Sequence, residues 1–375
     1  MIGAPGEVRL GILGNGQLGR MLVQAASRFG VRSVVYSPVP GSPAGRLADV
    51  EVVGDYEDPD ALDRFAGQVD VVTYEFENVP LASARRCQAR VPVHPKPEVL
   101  EVAQDRLLEK GRLREAGFPV TPFARVDSAA SLEEARAAMG GEVILKTHTA
   151  GYDGKGQQRV RADADLNEVW RRHGREVGIV ERKMDFDLEV SVVSARGADQ
   201  AVHAFPLLRN DHAHHILDVT SCPAGVSQKL EARALDVARG VLETLDVVGV
   251  LCVEMFALGD EVFINEIAPR PHNSGHLTID AADHDQFEQQ LRSVCGWPLF
   301  SPRVRPSAMA NLLGDLWEGG PPPFTELLGE DGVHLHLYGK GAARPGRKMG
   351  HLTVVGDDGL SCRERVVALR ERLRG

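Results

Sequence analysis

The chain has 375 residues, which is too long for one ordinary hydrophobic core, so we expect two or three domains. Its 43 Lys and Arg residues against 53 Asp and Glu residues give a formal charge of −10, which argues against nucleic acid or an anionic membrane as a partner of the protein as a whole. Five widely spaced cysteines and the lack of an 18-residue apolar stretch argue against a disulfide framework, a thiolate zinc site and a membrane span. Since the N-terminus also lacks the apolar region of a secretory signal, we expect a soluble cytoplasmic protein.

The N-terminal pattern is a strand, a glycine turn and a helix. Residues 8–13 predict a buried strand, which the run Gly14-Asn15-Gly16-Gln17-Leu18-Gly19 and a helix to about Phe29 follow. The apolar runs at 33–36 and 69–74 predict later strands of the same sheet, with helices between them. This order indicates a doubly wound α/β domain that ends near residues 92–97.

The glycine turn at 14–19 has the spacing of a dinucleotide-binding fingerprint. Such a site needs an acid for the ribose about 20 residues further on, and the segment 36–40 contains none. The exposed N–H groups of a helix N-terminus suit a single phosphate instead. The alternative is that the glycines only allow tight packing of helix against strand.

A second glycine-rich stretch, Gly151-Tyr152-Asp153-Gly154-Lys155-Gly156-Gln157, follows Lys146, which closes an apolar run. Three glycines in six residues, with a lysine between two of them, allow backbone N–H groups to approach an anion closely. The stretch therefore predicts an anion-binding loop, and the alternative is a hairpin tip without a ligand.

Two apolar strands are predicted at 250–258 and 262–266, and each carries one carboxylate, Glu254 and Glu266. A three-residue loop at 259–261 would place the two carboxylates opposite each other on one face, whereas a two-residue loop would place them on opposite faces. Opposed like charges need a compensating cation, and hard oxygen ligands favour Mg²⁺ together with nucleotide phosphates. The alternative is that one glutamate simply faces solvent.

The histidines and the C-terminal cations indicate a binding site less clearly than the motifs above. His272 and His276 have the spacing of a helical zinc pair, but the neighbouring proline and glycine disfavour a helix, so we do not expect zinc. The histidines at 212–215 indicate a solvated loop from which one ring could reach a nucleotide. The segment 340–348 concentrates four cations in an acidic protein, which is typical of a solvated turn or of a phosphate site.

Five motifs in order, at 14–21, 73–79, 151–157, 265–276 and 344–351, resemble the ATP-grasp superfamily, and within it the N5-carboxyaminoimidazole ribonucleotide synthetase family. The resemblance spans nearly the whole chain. It implies an α/β and α+β fold: an N-terminal doubly wound parallel sheet at 1–97, a central ATP-grasp domain of two subdomains at 98–299, and a small C-terminal β-rich domain at 300–375.

The resemblance also implies that ATP lies between the two central subdomains. The residues implied for ATP are Arg106, Lys146, Gly151, Gly154, Lys155, Gly156, Gln157, Glu181, Arg182, Lys183, Met184, Glu189, His212, Asn265 and Glu266. The implied ligands of Mg²⁺ are Glu254 and Glu266. Many members of the superfamily carry an asparagine where this chain has Ala268, so the resemblance leaves open whether one or two ions bind.

For the second substrate, aminoimidazole ribonucleotide, the implied contacts are Gly16, Gln17, Leu18, Glu75, Asn273, Ser274, Lys340 and Arg347. The residues implied around bicarbonate and the reacting amine are Tyr152, Asp153, Lys155, Arg270 and His272. The implied activity is ATP-dependent carboxylation of that amine through carboxyphosphate in purine biosynthesis, by a homodimer.

Two alternatives compete with this activity. Another ATP-grasp carboxylate-amine ligase, such as a formate-dependent ribonucleotide transformylase, would share Lys146 and the two glutamates, but the basic run at 344–348 argues against it. A nucleotide-binding module without chemistry is the other, and the opposed Glu254 and Glu266 argue against that.

Overall fold

The computed structural model describes residues 1–151 and 156–374. Its N-terminal part is a parallel sheet of four strands in the order β3-β2-β1-β4: β1 (Arg9–Leu13), β2 (Arg32–Ser37), β3 (Val50–Val53) and β4 (Val71–Tyr74). The accompanying helices are α1 (Gln17–Arg28), α2 (Pro59–Ala66) and α3 (Leu81–Gln88). The sequence predicted β1, β2, β4 and α1. It did not predict β3, whose side chains at the sheet edge are only partly buried.

Two helices, α4 (Pro97–Gln104) and α5 (Arg106–Glu115), lead from this part into a small antiparallel sheet. The strands of the small sheet, in the order β5-β8-β6-β7, are β5 (Phe123–Val126), β6 (Val143–Thr147), β7 (Gln157–Val160) and β8 (Gly178–Arg182). Its helices are α6 (Ala129–Met139) and α7 (Leu166–His173). Lys146 lies near the end of β6, directly before the second glycine-rich stretch.

A large sheet of nine strands forms the rest of the fold. The strands are β9 (Leu188–Arg196), β10 (Val202–Ala204), β11 (Leu208–Ala213), β12 (Ile216–Cys222), β13 (Gly249–Leu258), β14 (Glu261–Ala268), β15 (Ser307–Leu313), β16 (Val333–Leu337) and β17 (Lys348–Val355). Their order is β14-β13-β9-β11-β12-β15-β17-β16, and β10 pairs with β9. Because β12 pairs with β15, the β-rich C-terminal region continues the central sheet, and its basic loop lies beside the same cavity as the central strands.

The remaining helices cover this sheet or connect its strands. They are α8 (Gln228–Thr244), α9 (Thr278–Ala281), α10 (Gln286–Cys295), α11 (Gly359–Arg372) and the 3₁₀ helices Asn273–Leu277, Gly314–Trp317 and Phe324–Leu327. No helix within residues 1–151 and 156–374 is long and apolar enough to cross a bilayer. All five cysteines are buried and free.

Helix α10 fixes the N-terminal sheet to the large sheet. Its buried Phe287, Leu291 and Val294 belong to the same apolar cluster as Leu10 and Leu22 of the N-terminal part. Burying a side chain of this size contributes about 1.5–3 kcal/mol, so the shared cluster favours one fixed arrangement of the two parts. The glycine turn before α1 is thereby held at the edge of the central cavity.

The hairpin between β13 and β14 differs from the prediction. Leu258 pairs with Glu261, so the loop has two residues, and the predicted three-residue loop is wrong. The register shifts between Glu254 and Met255. Asn265 of β14 is therefore an extra residue that has no partner on β13. This β-bulge restores the pairing of Glu254 with Glu266 that a two-residue loop alone would have prevented.

Candidate active site

A cavity of about 1320 Å³ lies where the N-terminal sheet, the small sheet, the large sheet and the loop between β16 and β17 meet. It exceeds the roughly 300–1,000 Å³ of a typical single-ligand pocket, so it has room for two substrates. The sequence-predicted residues that line it are Gln17, Leu18, Glu75, Arg106, Lys146, Gly151, Gln157, Glu181, Arg182, Lys183, Met184, Glu189, His212, Glu254, Asn265, Glu266, Arg270, His272, Asn273, Lys340 and Arg347.

The other predicted site residues fall into two groups. Tyr152, Asp153, Gly154 and Lys155 lie outside the described residues. Gly16, Gly156 and Ser274 are described but do not line the cavity.

The paired carboxylates Glu254 and Glu266 have different surroundings. His272 Nε2 lies 3.0 Å from Glu254 Oε1, whereas the guanidinium of Arg106 lies 3.8 Å from Glu266 Oε2. Burial favours the neutral form of Glu254, but the charge and hydrogen bond of His272 outweigh it and lower the pKa of Glu254 to about 2. Loss of solvent and the charge of Glu254 together raise the pKa of Glu266 above its ordinary value. The two carboxylates therefore carry negative charge that His272 and Arg106 compensate only in part.

These residues fit a hard divalent cation. Two carboxylates face each other, and the amide oxygen of Asn265 is buried with no hydrogen-bond partner in the described part of the chain. Mg²⁺ prefers such oxygen ligands and keeps further positions for water or phosphate oxygens. The bulge at Asn265 thus brings these oxygen ligands together.

Lys110 supports the bulge, and the sequence analysis missed it. Its ammonium group donates to the carbonyl oxygen of Asn265 at 2.7 Å and to the hydroxyl of Thr121 at 2.6 Å. The residue has no exposed surface, and burial lowers its pKa although Glu181 opposes this. A lysine on an amphipathic helix normally faces solvent, so the sequence contained no clear signal for this role.

Glu181 connects the two buried lysines. Its carboxylate lies 2.9 Å from Lys146 Nζ and 3.5 Å from Lys110 Nζ. Burial would raise its pKa, but the charges of Lys110 and Lys146 hold it at about 2. The resemblance implies Glu181 for ATP, and that role stays a prediction. In this structure its carboxylate positions Lys146.

Arg106 lies at the base of the second glycine-rich stretch. Its guanidinium donates to the carbonyl oxygens of Thr147 and Gly151, each at 3.2 Å. A Cβ atom on Gly151 would lie 2.7 Å from this guanidinium, so a larger residue here would displace the Arg106 side chain. Arg106 therefore connects the start of the stretch to Glu266.

The N-terminal glycine turn binds a carboxylate of the protein itself. Glu75 accepts hydrogen bonds from the backbone N–H groups of Gly16 and Gly19, the latter at 2.6 Å. Burial raises the pKa of Glu75, although these hydrogen bonds oppose the shift. The anion at the turn is thus a carboxylate of the protein, and the predicted binding of a phosphate stays a prediction. Gln17 and Leu18 remain on the cavity surface.

The segment after β14 holds its side chains through buried polar contacts. Arg270 forms an ion pair with Glu77, which the sequence analysis did not single out. His272 Nδ1 lies 2.9 Å from Ser274 Oγ, which accepts a hydrogen bond from Ser191 Oγ at 2.9 Å. Ser274 is fully buried and orients His272, and its implied contact with substrate stays a prediction.

The same segment corrects a second expectation. Residues Asn273–Leu277 form a 3₁₀ helix, although the neighbouring proline and glycine had argued against a helix here. A short 3₁₀ helix needs only i→i+3 hydrogen bonds, and Pro271 precedes it without interrupting it. His276 contacts Gln286 in the interior, so it does not share a ligand site with His272.

The basic loop between β16 and β17 is anchored by its own backbone. Lys340 Nζ donates to the carbonyl oxygen of Lys348 at 2.6 Å, and Arg347 donates to that of Ala342 at 2.8 Å. Arg46 of the N-terminal part donates to the carbonyl oxygen of Gly339. The loop is therefore held between two parts of the protein with its cations on the cavity surface.

Polar and aromatic groups form a further part of the cavity surface. His212 Nδ1 lies 2.8 Å from Glu189 Oε2. Burial would lower the pKa of His212, but Glu189 raises it above the ordinary value. The rings of Phe186 and Phe256 stack at 4.4 Å between centroids and also line the cavity. The sequence analysis missed this aromatic pair, which offers a flat apolar surface beside the predicted nucleotide residues.

Three family models match the chain in order. A ribonucleotide synthetase preATP-grasp domain matches residues 8–104, an ATP-grasp domain matches 111–287, and a phosphoribosylaminoimidazole carboxylase C-terminal domain matches 307–365. The predicted fold class, with its parallel N-terminal sheet, ATP-grasp centre and β-rich C-terminal region, is confirmed by these matches and by the structural neighbours.

The chain is also similar over nearly its whole length to proteins of one named family. An N5-carboxyaminoimidazole ribonucleotide synthase of Brucella melitensis is 42% identical over 353 residues, which cover 93% of this chain and 96% of that protein. A crystal structure of an N5-carboxyaminoimidazole ribonucleotide synthetase with ADP has a TM-score of 0.93 at 37% identity and covers 99% of both chains. The synthase of Aspergillus clavatus, crystallised with ADP and 5-aminoimidazole ribonucleotide, has a TM-score of 0.88 at 30% identity, over 99% of this chain and 100% of that one. The chain belongs to the N5-carboxyaminoimidazole ribonucleotide synthetase family of the ATP-grasp superfamily.

Proposed function

We propose that this protein is an ATP-dependent carbon-nitrogen ligase that carboxylates the amine of 5-aminoimidazole ribonucleotide with bicarbonate, giving N5-carboxyaminoimidazole ribonucleotide, ADP and phosphate in purine biosynthesis. The observation that carries the proposal is the shared cavity. It places the anion-binding turn at Gln17, the carboxylate pair Glu254 and Glu266, and the basic loop at Lys340 on one connected surface. The identity of the relatives and their bound ligands support the choice of substrates.

ATP would bind at the end of the cavity that carries Lys146, Arg106 and the aromatic pair Phe186 and Phe256. The two cations suit phosphate oxygens, and the stacked rings provide an apolar wall for a base. Among the other predicted ATP residues, Arg182, Lys183, Met184 and Glu189 line the same end. Crystal structures of relatives with ATP and with ADP support a nucleotide in this fold.

Mg²⁺ would be held by Glu254 and Glu266, with the amide oxygen of Asn265 nearby. When bound, the ion supplies charge neutralisation to the phosphate oxygens during phosphoryl transfer. His272 keeps Glu254 ionised, and Lys110 keeps the bulge that places Glu266 opposite it. Whether one or two ions bind stays open in the proposal, because Ala268 replaces a common third ligand of the superfamily.

The ribonucleotide would bind at the other end, with its phosphate between the turn at 16–18 and the cations Lys340 and Arg347. Glu75 would lie close to its sugar or base, and Asn273 near the reacting end. Arg270, positioned by Glu77, and His272 would lie by bicarbonate and the amine, together with the predicted Tyr152, Asp153 and Lys155.

The proposed reaction has three steps. An oxygen of bicarbonate attacks the γ-phosphorus and the bond to the ADP oxygen breaks, which gives carboxyphosphate. The C–O bond between the carboxyl carbon and the phosphate oxygen of carboxyphosphate then breaks to carbon dioxide and phosphate, and the carboxyl proton is transferred to phosphate. The amine nitrogen attacks carbon dioxide and releases one proton. A cavity that excludes water protects the intermediate from hydrolysis.

The remaining parts of the proposal concern organisation. We assign residues 1–97, 98–299 and 300–375 to the three domains, and the family models, which match 8–104, 111–287 and 307–365, support this division approximately. A homodimer stays a prediction from the resemblance, and a cytoplasmic location stays a prediction from the composition of the sequence.

The test uses bicarbonate labelled with ¹⁸O. We expect phosphate release that depends on both the ribonucleotide and bicarbonate, with one labelled oxygen transferred to each phosphate. Formate in place of bicarbonate should give no turnover, which separates this activity from a transformylase. Unlabelled phosphate at full turnover would contradict the carboxyphosphate step, and turnover with formate would contradict the substrate.

A further inference from the structure

A cluster of histidines lies outside the active-site cavity, between α9 and the hairpin of β16 and β17. Asp280 of α9, His336 of β16 and His351 of β17 each offer one ligand atom, and these atoms all lie within 4.8 Å of one another. None of the three lines the cavity. The cluster is therefore separate from the carboxylate pair that we assign to Mg²⁺.

One nitrogen in this cluster has no explained partner. His351 is fully buried and its Nδ1 lies 2.9 Å from the hydroxyl of Tyr338, but its Nε2 has no hydrogen-bond partner in the described chain. A buried polar atom without a partner is uncommon and costs free energy. A cation bound among Asp280, His336 and His351 would supply a partner for such a nitrogen, since one ligand atom of each residue lies within 4.8 Å of the others.

The other ligand groups already lie close to one another. His336 Nε2 lies 2.9 and 3.1 Å from the two oxygens of Asp280, and His334 Nδ1 lies 3.5 Å from one of them. His336 and His351 are directly paired across the two strands, so their side chains lie on the same face of the sheet.

We propose that Asp280, His336 and His351 form a binding site for a divalent transition metal ion, with Zn²⁺ the expected ion and His334 the fourth ligand. Imidazole nitrogens with one carboxylate are typical ligands of Zn²⁺, whereas Mg²⁺ prefers oxygen ligands alone. Tyr338 fits this assignment, because a histidine that binds metal usually bonds a fixed partner through its other ring nitrogen.

Metal binding requires one rearrangement. The rings of His336 and His351 stack with centroids 4.4 Å apart and planes 13° apart, and one ion cannot lie in both of two parallel planes. The side chain of His336 is 27% exposed, so it is the ring that turns, while Tyr338 and burial hold His351 in place. The ion thus replaces the ring stack and the hydrogen bond from His336 to Asp280.

The site has a structural consequence for the active site. An ion there would fasten α9, which follows the segment of His272 and Asn273, to the hairpin whose connecting loop carries Lys340 and Arg347. Both ends of the proposed ribonucleotide site would then be fixed to each other. A metal that binds only the folded protein also stabilises it by mass action.

Direct binding tests this proposal independently of catalysis. Full-length protein without a polyhistidine tag is freed of metal with a chelator and titrated with Zn²⁺ by calorimetry in excess Mg²⁺, which competes for the carboxylate pair. We expect His336→Asn and Asp280→Asn each to bind one equivalent fewer than the parent, or to bind that equivalent at least tenfold more weakly. The control His203→Asn, which alters an exposed histidine bonded to Ser301, should keep the parental stoichiometry.

A second readout covers the possibility that a variant is poorly folded. Thermal melting without metal shows whether each variant folds, and Zn²⁺ should raise the melting temperature of the parent and of His203→Asn more than that of His336→Asn or Asp280→Asn. The proposal is overturned if the parent binds no Zn²⁺ under these conditions, or if both site variants keep the parental stoichiometry, affinity and zinc-dependent shift.

Discussion

Glu254 of β13 lies directly opposite Glu266 of β14 because one extra residue, Asn265, interrupts the register between them. With the two-residue loop that this hairpin has, a regular ladder would turn the side chains to opposite faces of the sheet. The bulge brings them back to one face, next to the cavity, and adds the unpartnered amide oxygen of Asn265. The proposed metal site is therefore a product of an irregular strand.

Replacing Glu266 with Gln tests this metal site. The change keeps the shape but removes one of two opposed charges, so we expect weaker Mg²⁺ binding and a misplaced triphosphate. Charge stabilisation by a metal is worth several kcal/mol in a transition state, so turnover should fall roughly a hundredfold or more. Steady-state kinetics over a range of Mg²⁺ concentrations measures both effects.

Melting experiments separate this effect from damage to the fold. Without Mg²⁺ and ATP the Glu266→Gln variant should melt no lower than the parent, since repulsion between the carboxylates is relieved. With both ligands added it should gain less stability than the parent does. Near-parental turnover, or an unchanged gain from Mg²⁺ and ATP, would contradict the metal assignment.

Replacing Lys110 with Met tests the support of the bulge. The ammonium of Lys110 is fully buried, and it bonds the carbonyl oxygen of Asn265 and lies beside Glu181. Breaking a buried charge pair typically costs about 3–5 kcal/mol, so we expect a clear loss in the free energy of unfolding. The matched control is Lys229→Met, because Lys229 is a surface lysine whose ion pair with Asp260 should contribute about 1 kcal/mol or less.

A second measurement tests whether Lys110 affects the metal site in addition to the stability of the fold. At a temperature where Lys110→Met is folded, its Mg²⁺ dependence of turnover should shift to higher concentrations than that of Lys229→Met. The idea fails if Lys110→Met loses stability but keeps the parental Mg²⁺ dependence.

The regular parts of the fold could be predicted from the sequence because their hydrophobic patterns are local. The strands β1, β2 and β4 and the helix α1 follow from apolar runs and a glycine turn. The partly buried edge strand β3 has no comparable run, and pattern alone could not find it. The opposed glutamates were predicted correctly through a wrong loop length, since the bulge at Asn265 leaves no pattern in the sequence.

The candidate site shows the same limit. Residues within recognisable motifs, such as Lys146, Glu266 and Arg270, could be named from the sequence and lie on the cavity. Lys110 and Glu77 could not, because their roles come from partners 155 and 193 residues away in the chain. Such contacts depend on how α5 and the N-terminal sheet pack against β14, and this packing leaves no local pattern in the sequence.

The pH dependence of stability provides a further test of Glu266. Its pKa is raised in the folded protein by burial and by Glu254, so the folded state binds its proton more tightly than the unfolded state. Its contribution to stability is therefore most favourable below the ordinary carboxyl pKa of about 4.3, and is lost as pH rises through the raised folded value. Glutamine does not titrate, so it isolates this effect.

We compare the free energies of unfolding of the parent and of Glu266→Gln. The difference, parent minus variant, should fall as the pH rises from about 4. Chemical denaturation without metal at several pH values measures this difference. The control is Glu261→Gln, which changes an exposed glutamate of the same strand that is paired with Arg233. A difference that is constant or rises over this range would contradict the assigned environment of Glu266.

The basic loop between β16 and β17 should distinguish the two substrates. Lys340 and Arg347 belong to the loop that Arg46 of the N-terminal part holds, whereas Arg106 and Lys146 form ion pairs with Glu266 and Glu181. Removing one charge-assisted contact to a phosphate costs on the order of 1.5–3 kcal/mol. We therefore expect Lys340→Ala and Arg347→Ala to weaken binding of the ribonucleotide about tenfold or more, with little change for ATP.

The measurement is the Michaelis constant of each substrate at saturation with the other, together with calorimetry of the ribonucleotide alone. Lys229→Ala serves as the control for loss of a surface lysine, and it should leave both constants unchanged. Raising the salt concentration should weaken ribonucleotide binding in the parent more than in either loop variant, since each variant has lost one of the charges that salt screens. If both loop variants kept the parental constants for both substrates, the loop would be a solvated turn and the ribonucleotide phosphate would have to bind elsewhere. An equal loss for ATP and ribonucleotide would instead show that the loop positions the whole cavity, because Lys340 and Arg347 are bonded to backbone carbonyls of the loop itself.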